Sequence, residues 1–482
     1  MSSPSPTAKK SAFDRFLRTV EWLGNLLPHP VTLFALFALS VILVSGFAGW
    51  INLSVLDPRP EGASGRSADG IIRAVSLMNA AGLRRIVENL VTNFTGFVPL
   101  GTVLVALLGV GVADASGLIS AAIRLIVLRA PTYLVTVAIV FGGIISNTAS
   151  EMGYVVLIPL AAVIFHALGR HPLAGLAAAF AGVSGGYSAN LLIGTIDPLL
   201  AGITQEAARL IDPSYEVHAA VNYYFMFVST FLITILGTFV TTKIVEPRLG
   251  TYDPSNADKG ALESTKLEPL TRLEKRGLLF AALTTIGLVA LIAWLVVPSG
   301  APLRNPVTDD VLNSPFLRGI VSLIFVFFLV PGVVYGYVTG VMKSDRDVIA
   351  GMQGAMSSLG LYIVLVFFAA QFVAFFNWTN LGAILAVSGA DFLKAINLTG
   401  PLVFIPFILM CCFVNLMLGS ASAQWAVTAP IFVPMLMLLG YSPEVIQAAY
   451  RIGDSTTNII TPMMSYFGLI LAFAARYDKR LG

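Results

Sequence analysis

The residues best suited to chemistry gather near the end of the chain, in the stretch Ser442 to Phe467, SPEVIQAAYRIGDSTTNIITPMMSYF. Arg451, Asp454, Asn458 and a run of hydroxyls stand there in strongly apolar surroundings. Ionisable groups at bilayer depth are costly and face a polar pathway rather than lipid. Asp454 could bind a cation, carry a proton or neutralise Arg451, since i, i+3 spacing puts the two on one helix face. The plain alternative is an ion pair at the membrane surface. Asp197 precedes Pro198 in the apolar run LLIGTIDPLLAG, as a functional acid or as an Asp-Pro turn at the outer interface.

Asn147, Asn190 and Asn458, with Ser150 and Ser422, supply neutral oxygens, and Asn415 offers another. Together with carbonyls freed at helix breaks, such ligands suit a weakly held Na+. Taken singly, each is the ordinary interhelical hydrogen bond. Glu151 could titrate or simply be solvated in a cavity. Trp425 could stack on an aromatic solute or pack against neighbours. The methionine-rich runs read as packing, and His166, His171 and His218 show no motif spacing.

These groups need elements that hold them at mid-membrane. Pro462 cannot donate a backbone hydrogen bond and frees a carbonyl about one turn earlier, near Asn458. The stretch therefore reads as a broken helix with bare ends around a solute or ion. It has a twin. Leu168-Gly169-Arg170-His171-Pro172 matches Leu439-Gly440-Tyr441-Ser442-Pro443, and Gly182-Val183-Ser184 follows at the same interval as Gly453-Asp454-Ser455. Asn190 and Asn458 come next, while Thr148-Ala149-Ser150 and Ser420-Ala421-Ser422 precede the two copies. The chain is built from two repeats.

Of the 482 residues, 56% are hydrophobic and 11% charged, which marks a multi-span helical membrane protein. The net charge of +3 gives no reason to expect nucleic acid, and adjacent Cys411 and Cys412 form neither a disulfide framework nor a metal motif. The N-terminus lacks a cleavable signal pattern.

Residues 1–30 read as a cytoplasmic tail with an interfacial helix. Residues 31–243 form a first repeat, with hairpin 131–168 and broken helix 172–202. A cytoplasmic linker spans 244–277. Residues 278–482 form the second repeat, with hairpin 400–440 and broken helix 443–476. Unbroken spans are expected at 31–50, 94–116, 218–243, 278–298, 317–340 and 359–378, each long enough to cross. The whole is an all-α integral membrane protein of about 8–9 spans, two re-entrant hairpins and broken helices. With both termini inside, Lys and Arg are about twice as frequent on the inner side, in keeping with the positive-inside bias. The two repeats then run in opposite directions, as in many secondary transporters.

SNTASEMGYVV at the first tip, ASAQWAV at the second, and RIGDSTTNIITPMMSYF together resemble the AbgT family of p-aminobenzoyl-glutamate transporters, over essentially the whole chain. The resemblance implies a homodimer in the bacterial inner membrane, in contact with lipid. It implies solutes of the p-aminobenzoate, p-aminobenzoyl-glutamate and sulfonamide type, driven by Na+ or H+ gradients, with no bound cofactor. It further implies functional roles for Asp197, Ser422, Trp425, Pro443, Arg451, Asp454 and Pro462. Arg451 is expected to pair with a solute carboxylate and Trp425 to contact its ring. Export of sulfonamide and p-aminobenzoate is the favoured direction, and Na+-coupled uptake of p-aminobenzoyl-glutamate the alternative. No enzyme activity is expected. An intramembrane aspartyl protease needs two aspartates sharing a proton, and no Tyr-Asp lies within a span. An ion channel is the remaining alternative, and no GxxxxGK[ST] loop marks a nucleotide-driven pump.

Overall fold

The computed structural model describes residues 28–59, 61, 66–128, 131–149, 153–253, 269–311, 314–461, 464 and 466–478. Ser150, Glu151, Pro462, the expected interfacial helix before residue 28 and residues 254–268 of the linker lie outside them.

The first half runs α1 (Pro30–Trp50), a hairpin of β1 (Ser54–Leu56) with β2 (Ile71–Arg73), α2 (Ala80–Thr95), α3 (Val98–Ala115) and α4 (Leu118–Leu128). It continues with α5 (Val135–Ser146), α6 (Ile158–Ala167), α7 (Pro172–Phe180), α8 (Ile196–Ala208) and α9 (Tyr223–Val240). The second half comprises α10 (Arg272–Val296), α11 (Ile320–Thr339), α12 (Asp345–Ser358), α13 (Gly360–Trp378) and α14 (Leu381–Ala395). It ends with α15 (Phe404–Met417), α16 (Ala421–Met437), α17 (Pro443–Thr457) and α18 (Phe467–Tyr477). Six helical stretches are long and apolar enough to cross a membrane, and they fall on the six expected unbroken spans. The sheet is small and antiparallel, with Val55 opposite Ile72.

Three features differ from expectation. The second span does not start at Phe94. The chain breaks at Gly96-Phe97, and α3 begins with Pro99 in its first turn, where a missing N–H is harmless. Residues 381–395, between the span expected to end at 378 and the hairpin expected from 400, form α14, which at 15 residues is too short for an unbroken span. The strands β1 and β2 are three residues each, too short for a period-two pattern to be read.

Both broken helices are present. α7 passes into a π turn over Ala181–Gly185, and helix resumes only at Ile196. α17 stops at Thr457 and α18 starts at Phe467. The order helix, tip, helix, proline-capped helix, break, helix thus occurs twice, as α5 to α8 and as α15 to α18.

The two series exchange their ends. α8, from the first, buries Leu199, Leu200 and Ile203 in a core with Trp425, Ala429 and Tyr450 from the second. α18, from the second, buries Ile470, Ala474 and Tyr477 among Ile139, Leu157 and Phe165 of the first. Each hairpin core is therefore completed by the far half of the other broken helix.

The glycines of the two Gly-x-Ser triplets explain how closely these parts pack. A Cβ on Gly182 would lie 2.5 Å from the Val140 carbonyl oxygen of α5. One on Gly453 would lie 2.5 Å from Cys411 Cβ of α15. Small residues let backbones approach where lipid offers no hydrophobic drive, and here they seat each broken helix on its hairpin arm. Apolar side chains such as Leu283, Ile286, Val289 and Trp294 on α10 stay exposed, as a lipid-facing helix requires.

Candidate substrate and cation site

Asp197 and Arg451 meet across the two breaks. Arg451 Nη2 donates to Asp197 Oδ1 at 2.5 Å, and both side chains are 1% exposed. Asp197 sits in the first turn of α8, where its Oδ2 accepts from Gly194 N at 2.7 Å. A carboxylate there satisfies an orphan N–H and the positive helix end. It is thus a helix-starting Asp-Pro and a buried acid at once. Arg451 Nε and Nη1 have no partner among the described residues. The ion pair expected within α17, Arg451 with Asp454, is not formed: Arg451 turns to the other repeat instead.

Asp454 is buried and faces oxygen and amide groups. Its Oδ2 accepts from Asn458 Nδ2 at 3.3 Å, and its Oδ1 has no partner. Asn415 Nδ2 lies 2.9 Å from the Asp454 carbonyl, 2.9 Å from Thr457 Oγ1 and 2.8 Å from Asn458 Oδ1. Asn415 Oδ1 and Ser455 Oγ are likewise buried without a partner. Unsatisfied buried acceptors are rare, since each forfeits its hydration for nothing in return. Three such atoms lie on the α15–α17 pair.

The first repeat carries the neutral version. Asn147 Nδ2 donates to the Val183 carbonyl at 3.0 Å, and its Oδ1 is buried without a partner. Val183 and Asp454 are the middle residues of the two Gly-x-Ser triplets. Asn147 and Asn415 thus make the same contact in both repeats, yet only the second adds a carboxylate. Thr148 Oγ1 donates to Asn190 Oδ1 at 3.0 Å, and Ser184 Oγ lies 2.9 Å from Tyr154 OH.

A cavity of about 760 Å³ is lined by Asn147, Tyr187, Thr195, Ser422, Tyr466 and residues of α3 and α12; Asp197, Arg451, Asp454 and Asn415 are not among its lining residues. Trp425 is not in its wall. It is fully buried, its ring stacks on Tyr450 at 4.3 Å, and its Nε1 donates to Thr204 Oγ1 at 2.8 Å. Pro443 opens α17 as a buried N1 residue, a position that suits proline.

The sequence reading missed a second polar chain. Thr204 Oγ1 donates to Gln447 Oε1 at 2.6 Å, and Gln447 Nε2 donates to Asn222 Oδ1 at 2.7 Å. Gln424, also missed, donates to the Cys411 carbonyl at 2.7 Å and leaves its Oε1 unpartnered. A glutamine in the apolar arm after the second tip was the available signal.

A sequence model of the AbgT putative transporter family matches residues 15–482. The p-aminobenzoyl-glutamate transport protein of Escherichia coli (strain K12) is 38% identical over 466 residues, covering 96% of this chain and 89% of its own. Neisseria gonorrhoeae MtrF, described as illuminating a class of antimetabolite efflux pumps, superposes with a TM-score of 0.92 at 61% identity, over 97% of this chain and 92% of that one. The Alcanivorax borkumensis YdaH transporter, noted for an unusual topology, superposes with a TM-score of 0.86 at 46% identity, over 94% and 93%.

Proposed function

This chain belongs to the AbgT family and is a membrane transporter rather than an enzyme, and from that premise we propose that it exports p-aminobenzoate-type aromatic acids and sulfonamide antimetabolites in exchange for a cation or proton. The observation that carries the coupling is the trio of unpartnered acceptors at the second break: Asp454 Oδ1, Asn415 Oδ1 and Ser455 Oγ. The free Nε and Nη1 of Arg451 supply the complementary donors for an anionic or sulfonyl oxygen. Ser422, in the cavity wall, offers a polar contact to a solute there.

In this mechanism the cation binds at Asp454 with Asn415 and Asn458. Asn147, Ser150 and Asn190 serve a weaker, neutral position in the first repeat. Trp425 orients Tyr450 and α16 from behind the site instead of touching the solute in this conformation. Because α8 and α18 each complete the other repeat's core, movement of one hairpin core draws the opposite break with it, which is how alternating access would pass between the repeats. The two repeats lie oppositely in the bacterial inner membrane, both termini are cytoplasmic, and the chain works as a homodimer.

The test is flux in liposomes with Na+ and pH gradients imposed separately. Accumulation of labelled p-aminobenzoate under one gradient and its absence without any supports coupling; equal flux in all conditions refutes it. A second reading, uptake of p-aminobenzoyl-glutamate, is favoured by the 38% identical Escherichia coli protein. Cells lacking the protein should retain more labelled p-aminobenzoate than expressors if it exports, and less if it imports.

A further inference from the structure

The 760 Å³ cavity has a sign. Among the described residues, its only charged lining groups are Asp114 and Asp347. Asn147 lines it too, and its buried Oδ1 has no hydrogen-bond partner.

Of the two carboxylates, Asp347 has a local explanation. It caps α12, accepting from Lys343 N at 2.8 Å and Ser344 N at 3.0 Å. Those N–H groups hold its carboxyl below the usual range, so it is ionised at neutral pH, and Lys343 offsets part of its charge. Asp114 has no such explanation. It stands in the last turn of α3, at the negative end of the helix dipole, where a carboxylate is unfavourable. Among the described residues no hydrogen bond or ion pair engages its side chain. An unpaired acid in an unfavourable place, facing open volume, does nothing for the fold.

We propose that Asp114 makes this cavity a cation-gathering vestibule that holds off polyanions, so that the chain selects neutral and singly charged aromatic solutes over glutamate-conjugated ones. The inference rests on the transport reading above and specifies its substrate class. Clefts lined by one sign of charge focus their field and change local ion concentrations by about 10-fold or more. The coupling cation is enriched next to Asn147 and Ser422. A solute with two or three carboxylates meets repulsion that a sulfonamide does not.

The vestibule's sign can be read without transport. A Cβ on Gly354, in the same wall, meets nothing within 4 Å, so Gly354→Cys fits. The full-length variant is labelled with a trimethylammonium and with a sulfonate methanethiosulfonate, and each rate is divided by that of a free thiol. Labelling of the parent chain, with buried Cys411 and half-buried Cys412, is subtracted. At low ionic strength the cationic reagent should be favoured about tenfold. Asp114→Asn should cut that preference several-fold, as should about 0.5 M salt. Ala350→Cys, also in the wall, repeats the measurement if Gly354→Cys folds poorly. A preference no larger than that of a free thiol, or one unchanged by Asp114→Asn, overturns the proposal.

The second arm compares liposome flux of p-aminobenzoyl-glutamate with that of neutral sulfanilamide. Asp114→Asn should raise kcat/KM for the conjugate relative to sulfanilamide, and equal changes overturn the selectivity. A cationic labelling preference in a chain that moves neither solute would instead refute the transport reading and leave the vestibule's sign standing.

Discussion

Asp197 and Arg451 are 254 positions apart and share one buried contact. Removing one partner of such a pair strands the other charge, at a cost of about 3–5 kcal/mol. Arg451→Ala and Asp197→Ala should each lower Tm sharply in detergent, whereas the double variant should lose much less than the sum. Additive losses would show that the pair is not coupled. A second residue-scale expectation concerns His171, which caps α7 by accepting from Leu173 N at 3.3 Å through Nδ1. Burial holds its imidazole below the ordinary value of 6.5. The unfolded chain therefore binds the proton first. The cap's contribution, about 1 kcal/mol, is present above pH 6.5 and is lost as pH falls through the folded value. His171→Asn should keep Tm at pH 7.5 and flatten its fall toward pH 5.5; an unchanged slope would remove His171 from the account. The sequence showed Asp454, Asn415 and Asn458 because polar groups in apolar runs stand out. It could not show that Arg451 would leave Asp454 for Asp197, or that Trp425 would be sealed against Tyr450, since both depend on contacts between the repeats.

At the scale of elements, the breaks work only if each helix end sits tightly on its hairpin arm. Gly182→Ala would press a methyl onto the Val140 carbonyl, and Gly453→Ala one onto Cys411. Overpacking of this kind costs about 1–3 kcal/mol, so both variants should unfold at lower temperature and transport poorly. Gly287→Ala, on lipid-facing α10, meets nothing within 4 Å and serves as the neutral control. If all three behave alike, close packing is not what fixes the breaks. The broken helices were legible because Pro172, Pro443 and the Gly-x-Ser triplets recur at matched intervals. α14, at 15 residues, is too short to stand out as a span, and the shortness of β1 and β2 hid the sheet.

For the whole molecule, the exchange of α8 and α18 between hairpin cores ties the two repeats into one machine. Such an arrangement means that movement in one hairpin core is felt in the other. The sequence announced two copies of a motif; only the packing reveals that neither copy is complete alone. The most direct test combines gradient and exchange in one liposome preparation carrying wild type or Asp454→Asn. Wild type should accumulate labelled p-aminobenzoate against its gradient when the cation or proton gradient is imposed. The variant should still exchange labelled for unlabelled solute but accumulate none. Undiminished gradient-driven accumulation by Asp454→Asn would contradict the assignment of coupling to the second break.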